Sequence, residues 1–476
     1  MNKFIIPIIV AAIIAVGAGT FWAFQKPAFP EPQKQILPQA QTNKLCGDGV
    51  CDSAEKANPN LCPKDCKEQT ITQPTNQSTS TPTTIQTQSP SALSIPATPS
   101  APLSSTKDSP FGIFGPYVTL TAENSLKSVS KSDVATLLKD IGVKWVEEMP
   151  AGDNISEVTK SGANVYSRVG CMNTQGKTPP YTSSDIKCKD FISSTVKKYK
   201  DTIKYWEFAT EPNGGKPPMG WKGYAKEYAT DLKEASTIIK KECPDCYVVF
   251  GGLTGQGVGT AELPNGPADF LKDALATGAG NYFDVFEFKQ HGANTDDYKE
   301  IINKLNIYSK VFSDNGLDIK KKLVFIETAT HDGSPDPKYN NPKIKSQTQT
   351  QQAIGVLKFY IYSISHGIDK IFWNLVYERH NFGSTGATLQ GGPPAAPEGS
   401  SVFDYYGLIN NPDNDGDSSK KLAYYTYKKM VETLEGSDWN NIQTIQEKDG
   451  VYIYKFQKGG KKIWVAWNDN SAEKQI

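Results

Sequence analysis

The chain has 476 residues, 21% of them charged, and Lys+Arg and Asp+Glu both number 51. That length is too great for one small domain and sufficient for a large barrel with attachments. The charge balance offers no electrostatic basis for nucleic acid or an anionic membrane surface as a partner.

Met-Asn-Lys opens the chain, and an uncharged, largely apolar run follows from Phe4 to Phe24. At about 1.5 Å per residue, a helix of that length spans a bilayer. Lys3 ahead of it suits a cytoplasmic N-terminus. Residues 1–26 are therefore expected to be a membrane anchor, and the alternative is a signal peptide cleaved near Val16-Gly17-Ala18. Either reading puts the remainder outside the cytoplasm.

Residues 45–67 carry Cys46, Cys51, Cys62 and Cys66 in CGDGVCDSAEKANPNLCPKDC. The patch is too small and polar for a hydrophobic core, so disulfides are expected to staple it. Three pairings are open. Zinc is the rival, but paired C-x-x-C knuckles and a nearby His are missing. The patch resembles small cysteine-rich surface repeats, in which groups such as Asp48, Asp52, Glu55 and Asp65 hold calcium; solvated acidic side chains are the alternative. Residues 68–108 follow, and from Gln69 to Ser105 they are nearly all Thr, Ser, Pro and Gln without a charge. Such a segment buries too little apolar area to offset its ordering entropy and reads as a disordered linker.

From residue 109 to 435, strand-like and helix-like segments alternate. Strands are expected at Phe111–Val118, Val143–Met149, Ala163–Val169, Lys204–Asn213, Tyr247–Leu253, Phe283–His291, Lys322–His331 and Ile371–Tyr377. Helices are expected at Val134–Asp140, Asp190–Lys200, Tyr224–Lys241, Ala268–Ala276, Tyr298–Asp314, Gln349–His366 and Leu422–Leu434. Eight strands joined by helical crossovers imply an α/β fold, a (β/α)8 TIM barrel. A doubly wound open sheet competes, but no Gly-rich phosphate loop follows the first strand. Residues 436–476 break the alternation: VYIYKF, Gly459-Gly460 and KKIWVAW read as a β-hairpin. Cys171 and Cys188 bracket a polar loop, and Cys243 and Cys246 close a turn; each pair is a candidate disulfide.

Two carboxylates end apolar runs. Lys204–Asn213, KYWEFATEPN, places Glu211 before Pro212, which cannot donate to a sheet ladder and should stop the strand there. Lys322–His331, KLVFIETATH, places Glu327 similarly. In a parallel barrel the strand tips carry the chemistry.

WEFATEPN resembles the acid/base signature of glycoside hydrolase clan A, W-E-x-W-N-E-P-N, with Trp206, Glu207, Glu211, Pro212 and Asn213 matching. FIETAT resembles the clan's nucleophile strand, and IFWN its eighth strand. YYGLINNPDNDGDSSKKLAYYTYKKM resembles its last loop and helix. The resemblance covers about 111–434. It implies retaining hydrolysis of β-glycosidic bonds, with Glu211 as acid/base and Glu327 as nucleophile. Thr210 stands where the clan has the Asn that bonds the 2-hydroxyl of the sugar, and Ala209 where it has Trp. The resemblance also points to Asn213, His291, Trp373 and Arg168 as substrate-binding residues. His291 is a candidate bond to a hydroxyl or the nucleophile, Arg168 a candidate orienter of Glu327, and Trp373 a candidate sugar floor. Glu147 and Glu148 are expected as rim charges.

No metal or other cofactor is implied, since the four His residues lie on separate segments. Asn411, Asp413, Asp415 and Gly416 imitate a calcium loop, but position twelve is Leu422, so a polar turn is expected. The expected partners are an oligo- or polysaccharide and the membrane, with no nucleic acid. Two alternatives stand beside the glycosidase: a non-catalytic carbohydrate-binding or adhesion protein on a decayed barrel, and a cell-wall scaffold that binds through the cysteine-rich module.

Overall fold

The eight apolar runs form eight strands: β1 Phe111–Phe114, β2 Trp145–Glu148, β3 Asn164–Val169, β4 Ile203–Phe208, β5 Tyr247–Leu253, β6 Val285–His291, β7 Leu323–Ala329 and β8 Lys370–Trp373. In this computed structural model they pair in chain order, and β8 pairs with β1 to close the barrel. All eight pairings are parallel. The described residues run from 108 to 470, without several internal stretches, chiefly 118–125, 171–177, 256–265 and 380–400. The chain divides into two compact units, residues 1–93 and 94–476, and every described residue belongs to the second. The expected anchor, the module with Cys46, Cys51, Cys62 and Cys66, and Cys171 lie outside the described residues. Among those described, no helix is long and apolar enough to cross a membrane.

Parallel neighbours need crossovers, and helices supply them: α1 Lys131–Ile141, α2 Gly152–Ser161, α3 Ile186–Tyr199, α4 Ala225–Glu242, α5 Pro267–Ala276, α6 Tyr298–Asp314, α7 Gln349–Ser365 and α8 Leu422–Leu434. α1 begins at a capping box, Ser130 with Asp133, which satisfies two otherwise orphaned N–H groups. The spacing of apolar residues did not predict α2. GDNISEVTKS buries only Ile155, Val158 and Ser161, too few to mark a period.

Inside the barrel, Phe114, Trp145, Tyr166, Val249, Val285, Phe325 and Phe372 form one buried cluster. Gly112 makes room for it, since a Cβ there would lie 2.7 Å from Phe372 Cδ1. Side chains alternate across a strand, so residues two further along face the same way. That rule sets Glu147, Arg168, Glu207, Glu287, Glu327 and Asn374 in the next interior layer, toward the C-terminal mouth. Lys289 and His291 follow on β6. The loops above the mouth are tied to α8 by Lys421, whose buried ammonium meets Asp332 Oδ1 at 2.7 Å and Glu378 Oε1 at 2.6 Å.

The C-terminal region is a three-stranded antiparallel sheet, not a single hairpin. Its strands are β9 Gln443–Lys448, β10 Val451–Lys458 and β11 Lys461–Asn468, in the order β11-β10-β9. The missed strand, QTIQEK, is mostly exposed and polar, so it carries no alternation to read. The sheet rests on the barrel's helices through Trp467 against Tyr298 and through the Lys358–Asp469 ion pair at 2.7 Å.

Candidate active site

The chain leaves the sheet earlier than expected beside the first carboxylate. β4 stops at Phe208. Ala209 and Glu211 both take left-handed backbone, with φ of 58° and 49°, which no strand accommodates. Glu211 therefore stands on a turn beyond the strand, not at its tip. β5 holds that turn. Glu211 N–H donates to the Gly252 carbonyl at 3.2 Å, and Tyr228 Oη on α4 bridges the Phe208 carbonyl and the Gly251 N–H. A Cβ on Gly251 would fall 1.8 Å from the Ala209 carbonyl oxygen, so the close approach requires glycine.

Asn213 belongs to the same turn and ties it to the loop after β5. Its Nδ2 donates to the Thr254 carbonyl at 2.8 Å, and its Oδ1 accepts the Thr254 N–H at 3.0 Å. Both ends of the amide are used in joining two loops. The Thr210 hydroxyl between Ala209 and Glu211 is buried and has no hydrogen-bond partner among the described residues.

Glu327 lies within β7, two residues before its end. It is 2% exposed. Asn374 Nδ2 donates to its Oε1 at 2.6 Å, and His291 Nε2 lies 3.5 Å from the same oxygen. The His291 ring stacks on Tyr406, and its Nδ1 has no partner among the described residues. Lys289 Nζ lies 2.6 Å from Glu327 Oε2 and 3.2 Å from Glu211 Oε1. One ammonium thus touches both carboxylates, although 116 residues separate them. These two contacts limit those two oxygens to a separation of about 5.8 Å, against the roughly 5–5.5 Å of a retaining pair. Burial opposes charge on Glu327, but Lys289 and His291 outweigh it and hold the carboxyl well below the usual range. Glu211 is more open, with 39% of its side chain exposed, and the Lys289 ammonium lies beside it.

Beneath this pair sits a second charged set. Arg168 Nε is 2.9 Å from both Glu147 Oε1 and Glu207 Oε2. Arg168 makes its ion pairs with those two, not with Glu327, because β3 lies between β2 and β4. Glu147 and Glu148 are correspondingly 1% and 4% exposed and are not rim charges. Burial raises the Glu147 carboxyl to about 8 against the pull of Arg168. Burial, followed by Glu147 and Glu207, pushes Glu287 up as well, and Tyr166 Oη donates to it.

Trp373 corrects the expectation of a sugar floor. Its strand neighbour Phe372 faces the interior, so Trp373 faces the helices. It is fully buried against Phe359 of α7, with Nε1 donating to the Tyr406 carbonyl at 3.1 Å. Lys289 and Asn374 belong to no motif that singles them out. The available signal is parity: 289 shares a face with 287 and 291, and 374 with 372. Cys243 and Cys246 form a disulfide, as expected of a turn-closing pair, and Cys188 is also disulfide-bonded. The Cys243, Asp245 and Cys246 group is the one arrangement of metal-ligand type among the described residues, and its sulfurs are already bonded to each other.

The family described as RET, Cysteine Rich Domain, matches residues 25–92, well under half of the chain. No curated protein matches the chain. Among solved structures, a family 39 glycoside hydrolase from Bacteroides cellulosilyticus WH2 is similar at 18% identity and a TM-score of 0.52, covering 76% of this chain and 71% of its own. A glucosidase from Croceicoccus marinus follows at 12% identity and a TM-score of 0.48, covering 78% of this chain and 82% of its own. A monomeric beta-xylosidase from Caulobacter crescentus CB15 has 14% identity and a TM-score of 0.47, covering 74% of each chain. The likeness to the first shows a shared barrel fold.

Proposed function

We propose that the barrel is a retaining glycoside hydrolase acting on β-glycosidic bonds of a cell-surface or extracellular glycan. The observation that carries this reading is the single ammonium shared by Glu211 and Glu327, which caps the separation of one oxygen of each at about 5.8 Å, below the roughly 6.5–9.5 Å of an inverting pair. Glu327, held ionised, attacks the anomeric carbon, while Glu211 donates its proton to the departing glycosidic oxygen. This gives a glycosyl ester on Glu327 and a free alcohol. Glu211 then takes a proton from water, whose oxygen displaces Glu327 and restores the original configuration. The resemblance of WEFATEPN and FIETAT to clan A supports the same roles. His291 and Asn374 orient the nucleophile. Thr210 is the candidate partner for the 2-hydroxyl.

The test is hydrolysis of aryl β-glycosides by the wild type, Glu211→Gln and Glu327→Gln, with the first-formed anomer read by NMR. The expected result is a β product and a loss of at least about a thousandfold in Glu327→Gln, the order of removing a nucleophile. Equal rates in all three proteins, or an α product, would overturn the assignment.

The barrel is further proposed to work outside the cytoplasm, tethered through residues 4–24. The apolar run and the oxidised Cys243–Cys246 pair support this, since disulfides persist in oxidising compartments. Protease shaving of intact cells should release the barrel; a barrel protected in intact cells would refute that placement.

A further inference from the structure

We infer that Lys289 is a positioning residue whose ammonium holds Glu211 and Glu327 at their working separation and keeps the two carboxylates from sharing a proton. The kinetic arm of this inference rests on the glycosidase reading; the geometric arm does not.

The barrel interior sorts its charges into two sets. Arg168 is engaged by Glu147 and Glu207. Lys289 is engaged by Glu211 and Glu327. Both cations pack on the Phe114 ring, at 4.8 and 5.2 Å from its centroid, so one phenyl group touches both sets. The Lys289 stem is enclosed. The residue is 4% exposed, and a Cβ on Gly252 would sit 3.1 Å from its Cε. The other charged groups facing it are Arg168, Glu147 and Glu287, with His291 beyond Glu327.

Two carboxylates this close repel when both are ionised, and without a cation one of them retains a proton. An ammonium bonded to both removes that repulsion. It also sets the reach of Glu211, whose turn would otherwise leave the side chain free to swing into solvent. Lys289 therefore governs both the geometry of the pair and the pH range over which the acid form is available.

The experiment compares the full chain in detergent with Lys289→Met and Lys289→Arg. Glutamates carry a 13C-labelled carboxyl, and the two resonances are assigned through Glu211→Gln and Glu327→Gln. In Lys289→Met the upper apparent pKa of the pair should rise by about one unit or more, while Lys289→Arg stays near the wild type. Identical titrations in all three proteins would overturn the inference, whether or not the protein hydrolyses anything. If Lys289→Met does not fold, Lys289→Gln replaces it with the same expected shift. In the kinetic arm, Lys289→Met should move the alkaline limb of kcat/KM upward by about one pH unit and lower kcat about tenfold or more. Turnover with an unmoved limb counts against Lys289. A wild type without turnover counts against the glycosidase reading alone, and the titration still decides Lys289.

Discussion

The Thr210 hydroxyl is a buried polar group without a hydrogen-bond partner among the described residues. Leaving a buried donor unsatisfied costs about 1–3 kcal/mol, and a site accepts that cost when a ligand supplies the missing bond. Thr210→Val keeps the shape and removes the hydroxyl. The free protein is expected to gain about 1 kcal/mol of stability, read in denaturant unfolding. Turnover of 2-hydroxy glycosides should fall about tenfold, because such bonds strengthen in the transition state. Turnover of matched 2-deoxy glycosides should not change. A loss common to both substrates would show that Thr210 shapes the turn and does not meet the sugar.

At the level of elements, Glu211 is held in place by β5 more than by its own strand. Two left-handed residues in three positions are strained, at roughly 1–3 kcal/mol each. That arrangement persists because the Ala209 carbonyl lies where a side chain on Gly251 would be. Gly251→Ala forces the two apart. Its expected effect is a fall in kcat/KM of about tenfold or more with the far-UV circular dichroism of the barrel retained, and a stability loss of about 1–3 kcal/mol. If activity survives unchanged, the turn does not position Glu211. The same element logic explains Trp373. One residue of strand register separates the interior from the helix layer, and the apolar run IFW does not announce which of its rings faces which side.

For the molecule as a whole, the interior charges predict the dependence of stability on pH. Glu147 is raised in the fold from an ordinary 4.5 to about 8. The folded state binds its proton more tightly than the unfolded state does, so this contribution is complete below pH 4.5 and declines as pH rises toward 8. Glu327 has the opposite sign: its carboxyl is depressed, so its contribution is present above the unfolded value and is lost as pH falls below it. Glu147 thus favours the acid side, whereas Glu327 and His331, whose imidazole burial lowers to about 4, disfavour it as pH falls. Melting temperatures measured from pH 4 to 9 should fall on the alkaline side, and Glu147→Gln should flatten that side. A wild-type melting temperature that holds level from pH 5 to 8 would contradict this account of Glu147.

The eight strands, all their helices but α2, and the two strand-end carboxylates could be read directly from the chain, because periodicity and turn residues act over a few neighbours and leave a local record. KYWEFATEPN and KLVFIETATH are the two runs whose carboxylates Lys289 joins. Closure of the barrel decided what no local pattern records: that Glu211 leaves the sheet, that Arg168 faces Glu147 and Glu207, that Trp373 turns outward, and that Lys289 reaches both carboxylates. Each of these depends on which side chains meet between paired strands and on which face each presents, and such meetings exist only once the strands have paired.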